Sequence, residues 1–198
     1  MARDTDGTPV VVTRDETDEE NPIKPYPDLD YLRYFFRVIS DTSIRQLFID
    51  KPRQIMATWA VLTYADWELR HRQSRFWLLS KMTQDEGEQL LSDKVKHIND
   101  HLPLWVQQAL PMTTRRLNHF RYPGTGGQLL AIASNAHRRT LRGNTPSAVI
   151  IDEAAYQDGF QEMVAAGKPT GCRFIAQSTA NASGPGARYC QQILGKLP

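Results

Sequence analysis

The sequence has only two cysteines, Cys172 and Cys190. That is too few for a disulfide framework, and they lack the C-x-x-C spacing of a metal site. Two reduced thiols of a cytosolic protein are the expectation. No run of about 18 apolar residues occurs, so no membrane-spanning helix is expected. Met1-Ala2-Arg3-Asp4 opens none of the apolar stretch that a secretory signal needs. Compositional bias is missing too: 40% of the 198 residues are hydrophobic and 23% charged, unlike a collagenous, mucin-like or wholly disordered chain. These bounds lead to one soluble intracellular domain of ordinary size.

The net charge of +2 is small but unevenly spread. Residues 1–30 hold nine acids and three bases, which leaves the other 168 residues with 21 bases against 13 acids. A basic body suits a polyanion partner, because each neutralised phosphate releases counterions. Residues 1–24 show little periodicity beyond Val10-Val11-Val12 and read as a largely disordered acidic tail.

From residue 25 onward the pattern is structured. Leu32, Phe35, Phe36 and Ile39 fall at helical spacing from Asp28. A strand at 44–49, a helix at 58–72, a strand at 76–79 and a helix at 84–99 follow. Two strands, 117–122 and 128–133, flank Pro123-Gly124-Thr125-Gly126-Gly127, which reads as a hairpin turn. A strand at 148–151, a helix at 160–166 and a strand at 173–176 complete the pattern. Trp59, Trp67, Trp77 and Trp105 read as core or half-buried packing. Apolar strands alternating with helices predict an α/β fold with a mostly parallel sheet. Ligands of such sheets bind at the carboxyl ends of the strands, here after Ile49, Ile151 and Ala176.

After Ile49 and Asp50, the eight residues Lys51-Pro52-Arg53-Gln54-Ile55-Met56-Ala57-Thr58 have the length of a phosphate-binding P-loop, G-x-x-x-x-G-K-[ST]. They keep the final hydroxyl but contain no glycine, and Ala57 stands where the lysine belongs. Lys51, at the first position, and Arg53 offer cations instead, and Thr58 a hydroxyl for Mg²⁺. After Ile151 come Asp152 and Glu153, whose side chains must diverge because they are consecutive on a strand. One acid placed for Mg²⁺ and one placed on a water is the division of labour that phosphoryl transfer needs. The third strand ends in Gln177-Ser178-Thr179-Ala180-Asn181, hydroxyls able to sense a terminal phosphate or the water attacking it.

These segments, together with Tyr31-Leu32-Arg33, 76–80 followed by Thr83-Gln84-Asp85-Glu86, and Leu141-Arg142-Gly143-Asn144, stand in the order and spacing of one family. Over about residues 25–190 the chain resembles the N-terminal ATPase domain of tailed-bacteriophage large terminases, whose deviant Walker A loops carry the lysine first. The resemblance implies a P-loop NTPase of the RecA/ASCE type, residues 25–198 being the ATPase domain, without the family's C-terminal nuclease. It implies ATP and Mg²⁺ as cofactors. Lys51 to Thr58 would hold nucleotide, Thr58 and Asp152 the metal, and Glu153 would be the catalytic glutamate. Arg142, with Arg138 and Arg139 as rivals, would be an arginine finger acting on a neighbouring subunit. Ser178, Thr179 and Ala180 would couple hydrolysis to movement. It also implies double-stranded DNA, a portal protein and a small terminase subunit as partners, a homo-oligomeric ring (a pentamer on the procapsid), and the host cell cytoplasm. The family's adenine-contacting glutamine would fall near Leu32. Tyr31 reads as a core residue, with adenine stacking the other option. A helicase-like ATPase, a nucleotide-binding scaffold without hydrolysis and a plain DNA-binding module are the competing functions. Arg115, Arg116 and Arg121 join the three candidate fingers as a surface for DNA or a neighbour.

Overall fold

In the computed structural model the described residues are 11–15, 17–52, 55–136, 140, 144–179 and 183–195. The first elements are two short strands, β1 (Val12–Arg14) and β2 (Ile23–Pro25), paired antiparallel with Val12 opposite Pro25. The described part of 1–24 is therefore not the disordered tail expected. The reason is tertiary: Tyr26, just after β2, is buried among Leu32, Trp59 and Ile98, and its N–H donates to the Val11 carbonyl at 3.0 Å. No local periodicity reports such a contact.

Helix α1 (Asp30–Ser40) buries Leu32 and Ile39 and half-buries Phe35 and Phe36. Strand β3 (Gln46–Asp50) leads through the glycine-free loop into α2 (Ala57–His71), which is buried on nearly every face. Strand β4 (Phe76–Lys81) follows, then α3 (Gln84–Leu90), opened by a capping box between Thr83 and Glu86. The predicted single helix over 84–99 is helical throughout but changes winding, with a π segment (Leu91–Lys96) before α4 (His97–His101). Helix α5 (Leu104–Ala109) leads to β5 (Thr113–Arg116), a strand the sequence pattern did not indicate, with every side chain exposed.

Strands β6 (His119–Tyr122) and β7 (Gly127–Ala133) form the predicted hairpin. Gly126 turns at φ 71°, and a Cβ on Gly127 would stand 2.6 Å from the Leu69 carbonyl oxygen, so glycine is required there. The chain closes with β8 (Ala148–Asp152), α6 (Phe160–Gly167), β9 (Arg173–Ser178) and α7 (Ala187–Ile193).

The sheet order is β3-β9-β8-β4-β7-β6-β5, parallel from β3 to β7 and antiparallel beyond. Strands β8 and β9 are buried at every residue, as expected of parallel strands covered on both faces. Alternation divides the core: Leu79, Ile150 and Ile175 pack with α2, and Leu78, Val149 and Phe174 with Phe160 and Met163 of α6. Trp59 and Trp77 are buried, but Trp67 and Trp105 are 47% and 64% exposed, contrary to their expected packing role. Trp67 sits on the outward stripe of α2, where its ring stacks on His71. Both cysteines are free and buried; burial pushes the Cys172 thiol up to about 12 and Cys190 up to about 11. Among the described residues no helix is long and apolar enough to cross a membrane.

Candidate nucleotide-binding site

Register places the chemistry on one edge. Asp50 pairs with Ser178, Asp152 with Gln177, and Ser80 with Ile151, so β3, β9, β8 and β4 end together. Lys51 leaves β3 with its N–H donating to the Ser178 carbonyl at 3.0 Å. Its ammonium reaches across β9 to donate to Glu153 Oε1 at 3.1 Å. Thr58, in the first turn of α2, donates to Asp152 Oδ1 at 3.3 Å. Residues separated by about a hundred positions thus meet at the amino end of a 15-residue helix, where free backbone N–H groups favour anions.

The loop reaches that helix through Met56 at φ 59°, ψ 11°. This left-handed conformation falls where the standard loop carries its second glycine. The backbone form survives without the residue that adopts it freely, at a cost of about 1–2 kcal/mol. Met56 recovers part of this by packing its half-buried side chain against the cluster of Trp59 and Tyr26. Met56→Gly is therefore expected to stay within about 1 kcal/mol of wild-type stability, strain relief offsetting lost contact. Met56→Val, β-branched and ill-suited to positive φ, should cost roughly 2 kcal/mol or more. Chemical denaturation of both variants checks this, and equal stabilities would contradict it.

Asp152, 4% exposed, accepts at both oxygens. Oδ1 takes Thr58 and the Gln177 amide at 2.7 Å, and Oδ2 takes the Lys81 ammonium at 2.9 Å. Gln177 also donates to Thr58 Oγ1 at 2.9 Å, while its own Oε1 is buried without a hydrogen-bond partner. Behind Asp152 the buried Gln157 clamps two strand ends, donating to the Ser80 and Asp152 carbonyls at 2.9 and 2.6 Å. The Ser80 hydroxyl donates back to Gln157 Oε1 at 2.6 Å.

Glu153 is also left-handed, φ 56°, which turns its carboxylate away from that of Asp152. Oε2 accepts from the Thr179 N–H at 3.1 Å, the Thr179 hydroxyl at 3.2 Å and the Ser178 hydroxyl at 3.4 Å. Burial alone would push this carboxyl up; the Thr179 N–H, Lys51 and the Thr179 hydroxyl outweigh it and hold the group below the usual glutamate value.

Two cavities flank the loop. One of about 450 Å³ is lined by Lys51, Lys81, Glu86, Asp152, Glu153 and Thr179, among others. The other, about 600 Å³, lies between the loop residues Ile55 to Thr58 and the β1–β2 pair, with Lys51, Trp59 and Lys94 also on its wall. Asp152 and Thr58 supply hard oxygens of the kind Mg²⁺ prefers. Among the described residues no group of three or more His, Cys, Asp or Glu side chains could hold a metal. A carboxylate and a hydroxyl suit Mg²⁺, which keeps several waters and takes phosphate oxygens.

Of the residues expected to act, the structure thus brings together Lys51, Met56, Ala57, Thr58, Asp152, Glu153, Ser178 and Thr179. Pro52 is exposed beside them and Ile55 lines the larger cavity. Arg53, Gln54, Arg138, Arg139, Arg142 and Ala180 lie outside the described residues. Tyr31 is not a core residue: it is 47% exposed, its hydroxyl 3.5 Å from the Ile55 carbonyl. Lys81, Gln157 and Gln177 had no assigned role. A lysine two residues after the apolar run Phe76-Trp77-Leu78-Leu79, at the strand end, was the one available signal for Lys81.

A mostly parallel sheet flanked by helices, with a strand-to-helix loop at its carboxyl edge and an Asp-Glu pair two strands away, defines the class of α/β fold. Solved structures that share this fold include large terminases. The large terminase of bacteriophage HK97 superposes with a TM-score of 0.66 at 15% identity, over 87% of this chain and 38% of that one. The large terminase ATPase domain of Thermus phage P74-26 gives 0.56 at 20% identity, over 77% and 64%. The large terminase of the thermophilic bacteriophage D6E, in complex with ADP, gives 0.55 at 10% identity, over 77% and 38%. The chain therefore spans about two fifths of the HK97 and D6E proteins and just under two thirds of the P74-26 domain. No protein-family model matches the sequence, and no curated protein does.

Proposed function

We propose that the chain is the ATPase motor domain of a phage large terminase, hydrolysing ATP to move double-stranded DNA into a procapsid. The observation that carries this is the meeting of Lys51, Thr58, Asp152 and Glu153 at one sheet edge, with contacts of 3.1 and 3.3 Å between loop and acids. The likeness to terminase ATPase domains, one of them solved with ADP, supports the same reading.

In this proposal the loop from Lys51 to Thr58 (Lys51, Pro52, Arg53, Gln54, Ile55, Met56, Ala57 and Thr58) and the amino end of α2 hold the phosphates. The nucleoside lies in the cavity beside β1–β2, and the terminal phosphate faces the cavity of Glu153 and Lys81. Thr58 and Asp152 would hold Mg²⁺, which neutralises phosphate charge. Glu153 stays ionised and orients the attacking water; its low proton affinity suits positioning better than early proton removal. Arg142 of a neighbouring subunit supplies the remaining positive charge. Thr179 holds Glu153 through two hydrogen bonds, so Ser178, Thr179 and Ala180 feel any movement of that carboxylate. The exposed Arg115, Arg116 and Arg121 of the sheet's antiparallel edge offer a surface for DNA phosphates. A portal protein, a small terminase subunit, a pentameric ring and the host cytoplasm belong to the same proposal, as does the absence of nuclease chemistry from these residues.

The test is Mg²⁺-dependent phosphate release from ATP over a wide range of protein concentration. Turnover per molecule is expected to rise with concentration, since an arginine finger in trans is worth about 10³–10⁵ in rate. Concentration-independent turnover would keep the ATPase and remove the finger. ATP binding without release by the full-length protein would overturn the motor and leave a nucleotide-binding scaffold.

A further inference from the structure

We infer that Lys81 is a second phosphate-binding cation of this site, one that distinguishes a nucleoside triphosphate from a diphosphate. The inference rests on the nucleotide site proposed above. Lys81 ends β4, on the far side of Asp152 from the loop, and its side chain is only 17% exposed. The cations among the described residues lining the smaller cavity are Lys51 and Lys81. They face each other across Asp152 and Glu153, each bonded to one acid: Lys51 to Glu153 at 3.1 Å, Lys81 to Asp152 at 2.9 Å.

Three observations separate this role from simple charge balance. First, Lys81 occupies Asp152 Oδ2, on the carboxylate that offers its oxygens to a metal. An ammonium and a divalent cation repel strongly at contact distance in a half-buried site. Loading the site therefore turns Lys81 away from Asp152 into the cavity it lines with Glu86 and Glu153, where the terminal phosphate is the anion that arrives with the nucleotide. Second, the loop has no lysine at position 57, and the first turn of α2 contains no basic residue. Besides Lys51 and Arg53 of the loop, positive charge must reach the phosphates from the flanks, and Lys81 is the flank opposite Lys51. Third, a four-carbon stem anchored on a central strand beside β8 and β7 swings its tip without moving the sheet. Lys81 thus holds Asp152 before nucleotide binds and the terminal phosphate afterwards.

Calorimetric titration of wild type, Lys81→Gln and Lys81→Arg with AMP-PNP and with ADP, in Mg²⁺, tests this. Glutamine can still donate to Asp152, so a merely structural contact survives, but the cation does not. K81Q is expected to bind AMP-PNP about tenfold or more weakly, the worth of one charge-assisted hydrogen bond. Its ADP affinity should stay within about twofold of wild type, and K81R should keep most of the preference for AMP-PNP. Equal weakening toward both nucleotides, or no change in K81Q, would overturn the role of Lys81 while leaving the nucleotide site intact. If wild type bound neither nucleotide, the site itself would fall and Lys81 with it. Should K81Q not fold, Lys81→Met gives the same comparison of the two nucleotides.

Discussion

Glu153→Gln is expected to lower ATP turnover by on the order of a hundredfold or more while ATP binding is kept or tightened. The amide conserves shape but cannot carry the charge that orients water. It also releases Lys51 from the ion pair with Oε1, so the loop lysine no longer divides its charge between an acid and the phosphates. The pH profile supplies a second reading of the same group. Its carboxyl is held below the ordinary value of 4.5, burial being outweighed by Thr179 and Lys51. The stabilisation it provides is therefore complete above that ordinary value and is lost only as pH falls through the lower folded one. Turnover should accordingly show no loss attributable to Glu153 anywhere above about pH 5. Phosphate release across pH, with nucleotide affinity measured alongside, checks both parts. An unchanged rate in the glutamine variant would remove Glu153 from the chemistry.

The largest stability effect is expected away from the site. Asp66, on α2, accepts from Arg70 Nε at 2.7 Å and from the Tyr122 hydroxyl at 2.8 Å. Arg70 also donates to Asn99 Oδ1 at 3.0 Å and to the Leu110 carbonyl, so one ion pair ties α2 to α4, α5 and the β6–β7 hairpin. Both partners are almost fully buried. Burial, then the charge of Asp66, holds the Tyr122 hydroxyl protonated well above its usual range. Asp66→Ala strands a buried guanidinium, which costs about 3–5 kcal/mol. For a domain of this size that lowers the melting temperature by roughly 10 °C. Asp66→Asn, which keeps an acceptor, should lose less. Asp66 lies nine residues, roughly 14 Å along the helix, from Ala57, so the folded variant should bind nucleotide as wild type does. A melting temperature unchanged by Asp66→Ala would show that the pair carries no such load.

Spacing reported the site only where its parts were contiguous. The loop from Lys51 to Thr58, the Asp152-Glu153 pair and the Ser178-Thr179 strand end each stood out because a few consecutive residues contain the pattern. Lys81, Gln157 and Gln177 contribute one side chain each from separate strands, and their meeting depends on register: Ser80 beside Ile151, Asp152 beside Gln177. Nothing in the spacing of single polar residues encodes that pairing. Tyr31, Trp67 and Trp105 show the opposite error, since aromatic residues at helical spacing suggest a core without saying which stripe faces it.

The sequence alone determined the α/β class, the order of the parallel strands along the chain, and the three strand ends that form the candidate site. Alternation of apolar runs with 3.6-residue periodicity is a local property and survives translation into structure. Tertiary structure decided the rest. It folded the acidic N-terminal stretch back as a strand pair beside the loop, because Tyr26 finds its apolar partners on α1, α2 and α4. It held Met56 and Glu153 left-handed, strain that only surrounding contacts can sustain. And it set two lysines against two acids on one sheet edge, because strand neighbours in space are not neighbours in sequence.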